Sequence, residues 1–229
     1  MCDANTSGSG RSVASRRTPA RVRTALPMAV AMLAALLPAA APATTKGLSQ
    51  IVTPDLQPAG QLSLSVQAQD RAIGNPWQVQ AELGLTDWAE AAAFQGFSPN
   101  EQFAAAEFGL LRTQPLLLSA GFLAWSSKGD SPQPFVEAGW YLEHAKLIAG
   151  LQRVGNHDEA VLGYAWDFNT HWRAQVDFQG GQDNSATFGI TWTPSERWQF
   201  NPAVYRSNGA AHDLRGYLVA SYTLSAWRH

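Results

Sequence analysis

Charged side chains are scarce in this chain, and those that could act on a solute stand singly within runs of alternating apolar and polar residues. Only 15% of the 229 residues are charged. Carboxylates and bases facing one enclosed aqueous space would create a field that selects and orients polar solutes. Alternatively, they would form a salt-bridge network that fills the space and has no transport role. The candidate lining residues are Glu82, Glu90, Glu107, Glu137, Lys146, Arg173, Asp177 and Arg215.

The stretch NTHWRAQVDFQGG, residues 169–181, shows what kind of element would position these groups. From Trp172 to Gln179 apolar and polar residues alternate without exception. This period of two predicts a strand with Arg173 and Asp177 on its polar face. The polar faces of similar stretches, such as QLSLSVQAQ and SATFGITW, consist of small and amide side chains, which suits a watery interior better than an outer surface.

Similar stretches of about ten residues follow one another from Gln61 to Leu224, and no helical period competes with them. The connections after even-numbered strands are almost all two residues long, whereas those after odd-numbered strands are longer and rich in Gly, Asn and Ser. This rhythm predicts an all-β transmembrane antiparallel up-and-down barrel of about twelve strands with a polar lumen. A soluble periplasmic β-sandwich is the alternative, although its Greek-key crossovers would break the rhythm. The predicted strands are 61–69, 76–85, 88–95, 103–112, 115–125, 134–142, 145–153, 159–168, 171–179, 185–193, 197–206 and 213–224.

Two features of this assignment concern the second hairpin. Glu82 and Glu90 would lie almost opposite each other across the turn at Thr86, where like charges repel unless a base such as Arg173 or Arg215 reaches them. An uninterrupted third strand would also place Trp88 and Glu90 on one face. A bulge, or an inward-facing Trp88, would remove that conflict.

Aromatic residues gather beside the short turns. Tryptophans at the ends of successive hairpins are typical of the girdle at a membrane–water interface, whereas core packing in a sandwich would place them in mid-strand. The predicted interface anchors are Trp166, Trp172, Trp192 and Trp198.

The beginning of the chain predicts export. An Arg-rich stretch, a short apolar run and the triplet Ala41-Pro42-Ala43 make residues 1–43 a predicted signal peptide, which would be removed together with Cys2, the only cysteine. We predict a periplasmic N-terminal segment at 44–60, the barrel at 61–224 and a C-terminal tail at 225–229. The expected location is the outer membrane of a Gram-negative-type cell.

The last predicted strand carries a family resemblance. GYLVASYTL, residues 216–224, is an alternating apolar strand with an aromatic residue two places before its end. It resembles the C-terminal strand of outer-membrane β-barrels, and TPDLQPAG and AELGLTDWAE resemble segments of porin-like members. The resemblance implies outer-membrane lipid and the barrel-assembly machinery as partners.

The favoured functional hypothesis is a passive porin-like channel for small polar solutes, selective by charge and size. One alternative is a non-conducting structural or surface-interaction barrel. A less favoured one is a lipid-acting enzyme at the rim, built around His157 and His212 with a nearby serine. No metal, cofactor or nucleic-acid motif is found, so we predict no metal, no cofactor and no nucleic-acid partner.

Overall fold

The alternating stretches form twelve antiparallel strands. The structure is a computed structural model that describes residues 47–126, 132–181, 184–209 and 212–225. The predicted signal peptide, residues 44–46 and residues 226–229 therefore lie outside the described residues. Every predicted strand is confirmed within three residues at either end. The strands are β1 (Gln61–Gln69), β2 (Trp77–Thr86), β3 (Ala89–Phe97), β4 (Asn100–Thr113), β5 (Leu116–Ser126), β6 (Gln133–Tyr141), β7 (Ala145–Val154), β8 (His157–Asp167), β9 (Trp172–Gln179), β10 (Ser185–Trp192), β11 (Trp198–Ser207) and β12 (Leu214–Ser225).

The sheet is closed on itself. Each strand pairs with its sequence neighbours, and β1 pairs with β12 from Gln61↔Ser225 to Gln69↔Tyr217. Closure satisfies the backbone groups that an open sheet leaves exposed at its edge. The described strands therefore form an up-and-down barrel, as the alternation of short and longer connections predicts.

The two faces of the barrel have opposite character. In β10, Ser185, Thr187 and Thr191 are buried on the inside, whereas Phe188 and Ile190 lie exposed on the outside. The same arrangement recurs around the wall: the buried positions are rich in Ser, Thr, Asn and Gln, and the exposed ones in Leu, Val, Phe and Trp. The barrel thus has a polar interior and an apolar exterior, the reverse of a soluble barrel that binds an apolar ligand.

The connections define two ends, named here the turn end, after even-numbered strands, and the loop end, after odd-numbered strands. At the loop end two connections are shorter than predicted, because pairing continues to Phe97↔Asn100 and Val154↔His157. Gly155 has a φ of +59°, the left-handed conformation that such a tight hairpin turn requires. Pairing therefore extends β4 and β8 into segments predicted as loops.

The second hairpin resolves the conflict between Trp88 and Glu90. The pairing shifts register between Gly84 and Thr86, and Trp88 lies in the turn before β3 begins. Trp88 is consequently exposed while Glu90 is buried inside the barrel. The same shift places Glu90 opposite Gly84 and Glu82 opposite Ala92, so the two carboxylates are not paired as predicted.

Among the described residues, no helix is long and apolar enough to cross a membrane.

Candidate functional site

The lumen contains residues of this chain that precede β1. Residues 47–60, named here the lumenal segment, precede β1, and most of their side chains are buried. Ser49, Ile51, Thr53 and Gln57 each expose 4% or less of their surface. This placement inside the barrel differs from the periplasmic position predicted for residues 44–60.

The lumenal segment joins β1 through a turn at the turn end of the barrel. Gln61 N donates to Pro58 O at 3.0 Å, and Gly60 adopts a φ of +77°. This is the conformation in which a turn strongly favours glycine. Gly60 N also donates to Gly84 O at 2.8 Å, which fixes the turn to β2. The chain therefore descends through the lumen, reverses direction and enters the wall.

Polar contacts hold the part of the lumenal segment that contains Ser49 and Gln50, named here its upper part, to the β9–β11 wall. The backbone N–H groups of Ser49 and Gln50 donate to Asp177 Oδ2 at 2.8 and 3.3 Å. Tyr205 donates from its hydroxyl to Ser49 O at 3.2 Å. Gln175 donates to the Ser49 hydroxyl at 2.9 Å. These bonds satisfy polar groups of the segment that have been removed from bulk water.

An ion pair and two hydrogen bonds to carboxylates hold the lower part of the segment, residues 55–57. Lys146 Nζ lies 2.7 Å from Asp55 Oδ2, and the Tyr141 hydroxyl donates to Asp55 Oδ1 at 2.7 Å. Nearer the turn, Gln57 N donates to Glu90 Oε2 at 2.6 Å. Asp177, Lys146 and Glu90, all predicted to line a pore, thus bind the chain's own segment.

The wall also has the shape needed to receive the segment. Leu48 and Ile51 form an apolar cluster with Ile148, Val161 and Ala165. Gly84, Gly163 and Gly189 lie beside the segment, and a Cβ atom on any of them would overlap Pro58, Leu48 or Ser49 respectively. The absence of side chains at these positions makes room for the segment.

The other predicted lining residues also lie on the inner face. Glu82, Glu107 and Glu137 are each 2–3% exposed, and Glu90 lies opposite Glu107 in the β3–β4 pairing. Arg173 Nε donates to Asp167 Oδ1 at 2.6 Å, near the turn end. Arg215 donates to Asp213 at the loop end at 3.0 Å. Each arginine is therefore engaged with an acid close by rather than reaching toward Glu82 and Glu90 as predicted.

Space remains between the lumenal segment and the opposite wall. A cavity of about 350 Å³, named here the glutamine chamber, lies between residues 48–52 and the loop-end halves of β1–β5, β11 and β12. Its wall includes Gln67, Gln69, Gln78, Gln80, Phe94, Phe103, Tyr205 and Tyr217.

A second cavity of about 50 Å³, named here the acidic pocket, is lined by Glu82, Glu90 and Glu107 among mostly apolar side chains. Val52, Gln80, Phe94 and Leu123 line both cavities, so the two spaces adjoin. The space left beside the segment is therefore wide and uncharged in one part and narrow and acidic in the next.

Comparison with solved structures identifies the fold. The KdgM porin superposes with a TM-score of 0.53 at 9% identity, covering 71% of this chain and 98% of that chain. The KdgM porin in complex with disordered oligogalacturonate gives a TM-score of 0.52 at 10% identity, with the same coverage. The chain has a porin-like β-barrel fold. No protein-family model matches the sequence, and no curated protein matches it.

The porin-like barrel carries aromatic residues on its outside at the turn end. Trp166, Trp172, Trp192 and Trp198 are each 40–45% exposed. Trp172 stacks on Trp192 at 5.8 Å between ring centroids, and Phe200 lies within 6 Å of both Trp192 and Trp198. Three of the four predicted anchors thus belong to one aromatic row across β9, β10 and β11.

The rim histidines of the porin-like barrel lie at its loop end. His157 opens β8 opposite Val154, and the neighbouring Asp158 lies 3.8 Å from Arg153. His212 has its Nδ1 atom 3.3 Å from the backbone oxygen of Ser207. Within the described ranges, no three His, Cys, Asp or Glu side chains are grouped to hold a metal ion.

Strand patterning does not predict the lumenal segment. Alternation separates the inside of a barrel from the outside but carries no information about what occupies the inside. The available signal was the inward-facing glycines: Gly84 and Gly189 interrupt the polar faces of their strands, and Gly163 lies between Val161 and Ala165 on the inner face of β8. Glycine within a strand often marks the close approach of another backbone, and here that backbone is the chain's own.

Proposed function

We propose that the protein spans the outer membrane of a Gram-negative-type cell, with its loop end outward and its turn end in the periplasm. The outward-facing Leu, Val and Phe side chains would contact lipid, and the tryptophan row would lie at one interface. Export by a cleaved signal peptide and insertion by the barrel-assembly machinery belong to the same proposal.

Within that membrane, the function that the geometry supports best is passive passage of small polar solutes. The observation that carries this proposal is the adjacency of the glutamine chamber and the acidic pocket. We infer that solutes would pass alongside the lumenal segment through these two adjoining spaces. Because the segment occupies much of the lumen, we expect a small conductance and a low size limit.

The charge of the narrower part sets the expected selectivity. Glu82, Glu90 and Glu107 line the acidic pocket, so anions would meet a repulsive potential there while cations and neutral solutes would not. The KdgM porin was solved with oligogalacturonate, an acidic saccharide. The acidic pocket makes a different solute class the expectation for this chain.

Ion selectivity in planar bilayers tests the proposal. The chain lacking residues 1–43, refolded and placed in a KCl gradient, should give small steps and a reversal potential that favours K⁺. Glu82→Gln should shift that potential toward zero because it removes one carboxylate from the acidic pocket. Glu143→Gln is the matched control, since Glu143 has an 89% exposed side chain in the β6–β7 turn. Preference for chloride, or an equal effect of both variants, would contradict the proposed route.

The second candidate function is a non-conducting structural or surface-interaction barrel. The lumenal segment favours it, because fourteen residues, 47–60, are packed against the inside of the wall. The bilayer experiment separates the two candidates. A refolded barrel that gives no steps in any salt would favour the structural role.

A further inference from the structure

The glutamine chamber has a distinct chemistry within the lumen. Its described lining residues are amides, aromatic rings, aliphatic side chains and one serine, without a charged group. A cavity of about 350 Å³ lies at the lower end of the ~300–1,000 Å³ typical of ligand sites. The chamber therefore suits one small uncharged molecule better than an ion or a long chain.

The amides are arranged in rows on two neighbouring strands. Gln67 lies opposite Gln78 in the β1–β2 pairing, and Gln80 lies one inward position further along β2. Gln67 Nε2 donates to Gln69 Oε1 at 2.9 Å, and Gln80 Nε2 donates to Glu82 Oε2 at 3.2 Å. These bonds fix two amide groups by their nitrogen atoms, which leaves their oxygen atoms to accept from a ligand.

Aromatic pairs flank the amide rows on both sides. Phe94 and Phe103 lie opposite each other in the β3–β4 pairing. On the other side Tyr205 and Tyr217 meet edge to face, with ring centroids 5.3 Å apart. The chamber thus combines a central polar surface with apolar ring surfaces at its margins.

We propose that the glutamine chamber binds an uncharged saccharide of one or two rings. A sugar hydroxyl both donates and accepts a hydrogen bond, and a glutamine amide does the same, whereas a carboxylate only accepts and a guanidinium only donates. The C–H faces of a sugar ring are apolar and pack against aromatic rings. Amide rows between aromatic pairs match both properties of a neutral sugar.

The neighbouring charges exclude the acidic sugars. Glu82 is hydrogen-bonded to Gln80, and Glu90 and Glu107 lie in the adjoining acidic pocket. A uronic acid would place a carboxylate near these groups and lose hydration without gaining a basic partner among the described lining residues. The selectivity expected is therefore neutral over acidic sugar of the same size.

This inference deepens the proposed channel and rests on it for its biological meaning, yet binding can be measured without conduction. The test is calorimetric titration of the refolded chain in detergent with glucose, maltose and glucuronate. Glucose or maltose should bind, and glucuronate should bind at least about tenfold more weakly because its carboxylate would lose hydration without gaining a basic partner.

Variants connect binding to the chamber. Gln78→Leu should weaken neutral-sugar binding by about tenfold. The control is Gln152→Leu, because Gln152 lies on β7 and bonds to Gln133 outside the chamber. If Gln78→Leu does not refold, Gln78→Asn tests the same position with a shorter amide and should also weaken binding.

Three outcomes would overturn the inference, whether or not the barrel conducts. They are absence of neutral-sugar binding, equal binding of glucuronate, and an equal loss of binding in the Gln152→Leu control. Sugar binding to a barrel without conductance would support the inference and count against the channel.

Discussion

Single glycines determine whether the lumen can hold the segment. At Gly189, a Cβ atom would overlap the Ser49 hydroxyl, whereas at Gly216 no atom lies within 4 Å of the added carbon. The two positions belong to strands of one barrel and differ in what their added side chains would meet. They therefore offer a matched pair for testing the contact.

Gly189→Val should displace the upper part of the lumenal segment and raise single-channel conductance, because the valine side chain occupies the space of Ser49. It should also lower the unfolding temperature, since the bonds of Ser49 to Asp177 and Gln175 would be lost. Gly216→Val should leave both quantities unchanged. Equal behaviour of the two variants would show that the lumenal contact at Gly189 is unimportant.

The ion pair between Asp55 and Lys146 is a second residue-level determinant. Its side chains are 27% and 12% exposed, so removing one partner leaves a largely desolvated charge. Lys146→Met should therefore destabilise the barrel by about 2 kcal/mol, between the values for surface and fully buried pairs.

A double-mutant cycle measures the coupling. Asp55→Asn combined with Lys146→Met should be less destabilising than the sum of the single changes, because no unpaired charge remains. The exposed pair of Arg153 and Asp158 serves as the control and should show coupling below about 1 kcal/mol. Additivity at Asp55 and Lys146, measured by denaturant unfolding, would contradict the assigned ion pair.

At the level of elements, the strands are predictable from sequence and the lumenal segment is not. Apolar and polar residues alternate in β9 and β10 because one face of each strand meets the interior and the other meets the exterior. This constraint determines the residue type at every second position. Residues 47–60 show no such period, because their partners are distributed over many strands. The conflict between Trp88 and Glu90 predicts a bulge as one of two solutions, but the pattern does not place the register shift at Gly84–Thr86, since a bulge depends on how two strands pair.

A disulfide tests the position of the segment as an element. The side chains of Ser49 and Asn201 are in contact, with Oγ 3.5 Å from Oδ1, and we expect Ser49→Cys with Asn201→Cys to cross-link in the folded barrel. The only native cysteine, Cys2, lies in the predicted signal peptide. The oxidised protein should keep its small conductance, and reduction should not abolish it. The control combines Ser49→Cys with Gln152→Cys, which should remain as free thiols. Cross-linking of the control, or none in the test pair, would place the segment elsewhere.

For the whole molecule, the closed sheet and the lumenal segment have different roles. Closure satisfies the backbone of every strand through its neighbours, so the hydrogen bonds between strands do not depend on the segment. The segment instead adds an apolar cluster and polar contacts inside an already closed wall. Sequence patterning predicts the closed sheet and the charged residues that face inward, but not the lumenal segment. Some of those charges bind the segment and others face the remaining space. The local sequence pattern does not distinguish the two groups, because the difference depends on three-dimensional contacts.

Single-channel conductance with and without residues 47–57 tests the central claim most directly. The deletion leaves the Pro58–Gln61 turn in place, so β1 should pair as before. A chain of equal length in which residues 47–57 are replaced by Gly and Ser controls for the length of the terminus. We predict small, cation-preferring steps for the intact chain and several-fold larger steps for both altered chains. Equal conductance of all three would contradict a lumen occupied by the lumenal segment.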